Sequence, residues 1–273
     1  MSAVGGAREI QDGPVVRARS DSRGNMNVRV RGYDVIRGIA VLSMVAFHEC
    51  YDLVYLKGAS LPWFEPPLQD IWRASISWTF LVLAGIMCSY SRSNLRRGLK
   101  YLAVAAVIYL VTSIAAVDAP ISFGIIYCMG FSTLFAWAIG KLGLRTSSTT
   151  MAVFCSVVLF LAFIVCLGVP SGSFGLAPFG GPSVRMPVAP YATGMLSWLG
   201  FPGPSFVSGD YYPPLPFTFL FLVGACAGEV IRHAGVPRWL MRLKSDPLEL
   251  IGRNALVIYV LHQPVLLLAL GLL

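Results

Sequence analysis

The stretch Arg31–Leu56, "RGYDVIRGIAVLSMVAFHECYDLVYL", decides the fold. It is apolar through its middle and basic at its start. Its length at ~1.5 Å rise per residue is enough to cross a bilayer core of about 30 Å. Near its far end come His48, Glu49 and Asp52. Ionisable side chains inside a membrane are costly, and they mark functional candidates by default.

The rest of the chain agrees with a membrane reading. Of its 273 residues, 56% are hydrophobic and 12% charged, and the mean hydropathy is +0.70. That excludes an ordinary soluble domain and predicts an all-α, polytopic transmembrane helix bundle. About seven stretches are long and apolar enough to span: roughly 35–56, 72–90, 101–117, 121–140, 150–168, 215–232 and 254–272. The third and fourth are separated only by "VDAPI" (117–121), which predicts a tight hairpin with Pro120 near the start of the fourth helix.

The net charge of +8 comes from 21 basic and 13 acidic residues. With the N-terminus inside, eighteen of those basic residues fall on inside segments. Only Lys57, Arg73 and Arg185 fall outside. The positive-inside rule then gives a cytoplasmic N-terminus and an external C-terminus. The charge is thus a membrane-face signal, and no nucleic-acid partner is expected. Residues 1–30 are polar and Gly/Arg-rich, without a signal-peptide core, and read as a disordered cytoplasmic tail. Residues 31–273 read as one transmembrane domain.

The six cysteines lie in or beside apolar runs with no CxxC pair, so they read as small buried residues. No metal site is expected. A long outside segment, about 169–214, is rich in Gly, Pro and aromatics, Tyr211 among them. Within it Pro190–Leu199 has the look of a short helix.

His48 lies eleven residues beyond Arg37, about 16 Å along the helix, past mid-bilayer. Asp52 follows at i+4 on the same face, where it can hold the imidazole in one tautomer and strengthen it as a base. Glu49 is turned about 100° away. His262, in "GRNALVIYVLHQPVLLLALGLL", is nine residues from Arg253, so its depth matches that of His48. The bland alternative is a polar knot between helices for His48, and for His262 a histidine hydrogen-bonded to a backbone carbonyl within the bundle. Asp210, in "SGDYYPPLPF", is either a helix cap or a group lining an outward pocket. Asp118 reads as a cap. Arg31, Arg37, Arg92, Arg96 and Arg97 cluster at the inner helix ends. They anchor to lipid headgroups, or meet a phosphate-rich cytoplasmic ligand, and Arg37 is best placed for the second role.

Five landmarks in order carry a resemblance: "YDVIRGIAVLSMVAFHECYDLVYL", "FLVLAGIMCSYSRS", "ISFGIIYCMGFSTLF", "DYYPPLPFTFLFLVGACAG" and "GRNALVIYVLHQP". Together, over about 31–272, they resemble the heparan-α-glucosaminide N-acetyltransferase catalytic-domain family in its compact bacterial form, within the wider acyltransferase-3 superfamily. The resemblance implies an acetyl transfer across a bacterial cytoplasmic membrane, from cytoplasmic acetyl-CoA to a sugar or amino-sugar acceptor of the cell envelope on the outside. It implies His48 as general base or transient acetyl carrier, with Asp52 supporting it and His262 near the thioester. Arg37, with Arg31, Arg92 and Arg96, would meet CoA phosphates. Asp210, Glu49 and Tyr211 would hold the acceptor. The lysosomal enzyme's active histidine sits in its first lumenal loop. Here that loop, "KGASLPWFEPPLQD", has no histidine, and Tyr127 stands where many bacterial relatives have one. The alternative class is a proton-coupled permease using His, Glu and Asp as a relay. Against it, no inverted repeat is visible and seven helices do not halve.

Overall fold

Helix α1 runs over Arg31–Tyr51, with Asp34 in its first turn, where the helix dipole favours a carboxylate. It widens into a π-turn at Asp52–Leu56, closed by a 3.0 Å bond from the Lys57 N–H to the Asp52 carbonyl. The computed structural model describes residues 29–143 and 148–272. The tail proposed for 1–30 lies almost wholly outside the described residues.

The chain then forms α2 (Leu68–Ile86), α3 (Asn94–Ala115), α4 (Ile125–Lys141), α5 (Thr149–Cys166) and α6 (Pro214–Ala234). Three further helices follow: α7 (Arg238–Arg242), α8 (Asp246–Arg253) and α9 (Ala255–Ala269). Ser93 caps α3 by accepting from the Arg96 N–H at 3.3 Å, as expected of a serine at that position. All seven stretches predicted as spans fall on helices. Among the described residues, four helices are long and apolar enough to cross a membrane: Arg31–Leu56, Asn94–Ala115, Thr149–Ser171 and Pro214–Ala234. The α8–α9 pair makes a fifth if taken as one broken span, bent by 82°. Helix α4 is apolar but shorter, at 17 residues, and α2 carries Asp70 and Arg73 in its first two turns.

Three local expectations change. The hairpin between α3 and α4 is longer than "VDAPI", because α3 ends at Ala115 and α4 begins at Ile125. Pro120 therefore stands ahead of the helix, not within its first turn. Asp118 caps no helix: its carboxylate accepts from the Ala119 N–H at 2.7 Å and lies 3.4 Å from the Tyr51 hydroxyl. In the long loop, Pro190–Leu199 holds the end of a 3₁₀ turn (Ala189–Tyr191) and further turns, and no α-helix. A two-stranded hairpin, β1 (Ser173–Gly175) with β2 (Ser183–Arg185), precedes it.

Glycines set the closest helix crossings. A methyl placed on Gly252 would lie 1.9 Å from the Asp34 carbonyl oxygen, and one on Gly38 would lie 2.1 Å from that of Leu248. So α8 lies backbone to backbone along the start of α1, which small residues alone allow. One apolar core gathers Leu81, Ile125, Met129, Phe163 and Phe221 between α2, α4, α5 and α6. A second gathers Met44, Phe47, Phe64 and Ile76 between α1, α2 and the segment joining them. Tyr259 of α9 packs against both cores, so α9 is the seam.

Candidate active site

The end of the bundle where α1 starts is held by ion pairs. Glu249, 2% exposed, accepts from Arg31 and Arg253, and Asp34 accepts from Arg37 at 2.9 Å. Arg31 also pairs with Asp246. Because Arg31 is α1's first residue and its partners are on α8, it clamps the two helices. Both Gly252 and Arg37 lie at this crossing.

Beside the clamp opens a cavity of about 350 Å³, within the size range of small-molecule sites. Arg37, Arg97 and Arg253 line it, with Tyr101, Met129 and Tyr259 among the others. Arg97 donates to the Ala84 carbonyl at 2.8 Å and stands 5.6 Å from the Tyr101 ring centre. Each guanidinium carries five N–H groups, so one or two protein contacts leave donors for a ligand. Three such forks at one cavity suit phosphate oxygens. Of the four arginines proposed for the donor, Arg37 lines this cavity. Arg31 is in the clamp, and Arg92 and Arg96 are exposed and outside the lining. Arg97 and Arg253 line it beside Arg37. The basic run "RRGLK" pointed to this helix end, but helix rotation decides which arginine faces inward.

His48 and Asp52 do share a face, and that face meets α9. The His48 ring lies 4.8 Å, centre to centre, from that of His262. Asp52 is 0% exposed, and its two oxygens accept from the Gln263 side-chain amide at 2.8 and 2.9 Å. The expected His48–Asp52 bond is therefore not made: the carboxylate is taken up by the residue after His262. His262 places Nδ1 2.6 Å from the Tyr259 carbonyl oxygen. Tyr259 also lines the cavity, and His262 stands one helical turn further along α9 from it. Glu49 is exposed and apart from this cluster.

On the loop side, Asp210 caps a helix, but α4 rather than its own. Its Oδ2 accepts from the Ile125 N–H at 3.1 Å. Burial pushes this carboxyl up to about 6, against the pull of that N–H and of Arg73. The Tyr211 hydroxyl donates to the Ser197 carbonyl at 2.6 Å, fastening the loop to itself. Among the described residues no group of three His, Cys, Asp or Glu side chains is placed to hold a metal.

Set against known proteins, residues 29–264 match the family model described as "Heparan-alpha-glucosaminide N-acetyltransferase, catalytic". No curated protein and no solved structure matches the chain.

Proposed function

The chain belongs to the heparan-alpha-glucosaminide N-acetyltransferase catalytic family, a family of membrane acetyltransferases, and on that premise we propose how its transfer is arranged. The donor is acetyl-CoA, entering from the cytoplasm. Its phosphates meet Arg37, Arg97 and Arg253, and its pantetheine arm runs down the cavity toward Tyr259. The observation that carries this reading is that cavity, with three guanidiniums in its lining and a histidine pair one turn along α9 from its Tyr259.

The acceptor is a sugar or amino sugar of a bacterial cell envelope, approaching from the loop side. Asp210 and Tyr211 shape that side by fixing the loop to α4 and to itself. The acceptor's proton is taken at the His48–His262 pair. Asp52, through Gln263, holds α9 in register with α1 so that the rings meet. Seven spans, with the N-terminus in the cytoplasm and the C-terminus outside, agree with the placement of eighteen of the 21 basic residues. The membrane is the bacterial cytoplasmic membrane, the one with acetyl-CoA on one face and envelope glycan on the other.

The test is acetyl-CoA consumption by the purified chain with glucosamine present, in wild type and His48→Ala. Wild type forms acetylated glucosamine and free CoA, and the variant, which lacks one ring of the pair, forms both more slowly. A wild type that carries labelled glucosamine into vesicles while leaving acetyl-CoA intact would establish a permease instead.

A further inference from the structure

The two histidines at the site are not equivalent, and hydrogen bonding separates them. His262 Nδ1 lies 2.6 Å from the Tyr259 carbonyl oxygen. A backbone carbonyl can only accept, so Nδ1 carries the proton. A neutral imidazole has one N–H, so Nε2 is left with its lone pair. That Nε2 is buried and has no hydrogen-bond partner among the described residues. A second proton there would have no acceptor and would set a charge against the His48 ring, 4.8 Å away. The carboxylate at this depth, Asp52, is already held by Gln263. An unpaired buried acceptor costs about 1–3 kcal/mol, and a substrate N–H or O–H brought to Nε2 would remove that cost.

We propose that His262 Nε2, rather than His48, is the catalytic base, and that the Tyr259 carbonyl is the positioning group that holds it in the Nδ1–H tautomer. The proposal rests on the acetyltransfer reading above and assigns its proton. The acceptor nitrogen or oxygen bonds to the thioester carbonyl carbon as its proton passes to Nε2. The carbon–sulfur bond breaks, and the proton then passes from Nε2 to the departing CoA thiolate. The products are the acetylated acceptor and free CoA, with His262 returned to its starting state. Tyr259 serves both halves of the site, because it lines the cavity while its carbonyl fixes the base one turn on. His48 walls the imidazole on the α1 side.

The chain has three histidines, so ¹⁵N-labelled histidine gives three ring systems. Those of His48 and His262 are assigned by their disappearance in H48Q and H262N. The expected spectrum of the wild-type chain in detergent shows His262 as a neutral ring protonated at Nδ1, the minority tautomer of free histidine. His262→Asn keeps an amide N–H for the Tyr259 carbonyl and removes the basic nitrogen. With acetyl-CoA and glucosamine it should lose about 10²–10⁴-fold in kcat, with KM for acetyl-CoA within about threefold of wild type. A His262 ring protonated at Nε2 overturns the assignment, and that readout needs no variant to be active. So does an H262N protein that keeps more than about a tenth of wild-type kcat, far above what loss of a base allows. If that variant and wild type are both active, only the base assignment falls. If wild type neither binds nor consumes acetyl-CoA, the acetyltransfer reading falls and the role of His262 with it.

Discussion

The two ends of the helix bundle use ionisable side chains in opposite ways. Where α1 starts, carboxylates meet guanidiniums: Glu249 with Arg31 and Arg253, Asp34 with Arg37, Glu229 with Arg232. Where α1 ends, apart from an exposed Asp70–Arg73 pair, ionisable groups meet neutral dipoles: Asp52 an amide, His262 a carbonyl, Asp210 a backbone N–H. An ion pair fixes both charges and ties helices together. A neutral partner holds a group in place and leaves its proton free to move. The first end is thus suited to gripping an anionic ligand, and the second to proton transfer.

The sharpest way to break the comparison is to separate α1 from α8. The side chain of Gly252→Val would begin 1.9 Å from the Asp34 carbonyl oxygen, where backbone on both sides leaves nothing to yield. The clamp cannot form around it, and overpacking of this kind costs at least about 1–3 kcal/mol even in a tolerant core. The expected outcome is loss of a monodisperse peak in detergent size-exclusion chromatography. Recovery of normally folded protein would mean that the ion pairs do not depend on that backbone contact.

A smaller effect distinguishes gripping from clamping. Arg97→Ala removes a cavity-lining fork that takes no part in the Glu249 clamp. A hydrogen bond to a charged group is worth about 1.5–3 kcal/mol, which is about a 10- to 100-fold rise in KM for acetyl-CoA with kcat little changed. Arg96→Ala, one residue earlier and exposed, should leave KM within about twofold, the usual range for a surface change. Equal effects from the two would show that the cavity is not the donor site.

That pair of arginines shows where sequence reading stops. The helices were legible because long apolar runs fold as helices in this chain: each of the seven runs falls on a helix, and four of those helices, or five with the bent pair, are long and apolar enough to cross a membrane. The matching depth of His48 and His262 followed from counting residues back to Arg37 and Arg253. The partner of Asp52 was not legible, because Gln263 is 211 positions away and only the packing of α9 on α1 brings it near. Asp210 read as a possible cap on the helix it precedes, but it caps α4, 85 positions back. The junction of α8 and α9 was legible as the polar-to-apolar change at 254, but its 82° bend was not, because composition marks a boundary and carries no angle. Local signals gave the helices, and long-range contacts decide which side chains do chemistry.

Gln263→Leu tests the neutral-partner side of the comparison. It removes both donors to Asp52, a residue with 0% exposure, and leaves a buried carboxylate unpaired. The loss is about 1–3 kcal/mol, seen as a lower melting temperature in detergent. Asp52→Asn in the same background should restore much of it, because a neutral amide tolerates the apolar site better than a carboxylate. Additive losses from the two substitutions would argue that Asp52 and Gln263 are not coupled.

The mildest test uses pH at Asp210. Its carboxyl titrates near 6 in the folded chain, against an ordinary value of 3.8, because burial disfavours the charged form. The folded state therefore holds this proton more tightly than the unfolded state does. The stabilisation is fully present below about pH 4, falls as pH rises through 6, and stays lost above that. A shift of this size is worth up to about 3 kcal/mol, and partial exposure of the residue brings the expected loss to about 2 kcal/mol. Melts at pH 4 and pH 7 should show that much more destabilisation across the window in wild type than in Asp210→Asn, which keeps an acceptor for the Ile125 N–H and cannot titrate. Parallel pH profiles for the two proteins would mean that the charge on Asp210 is compensated, and the loop end would then resemble the clamp end after all.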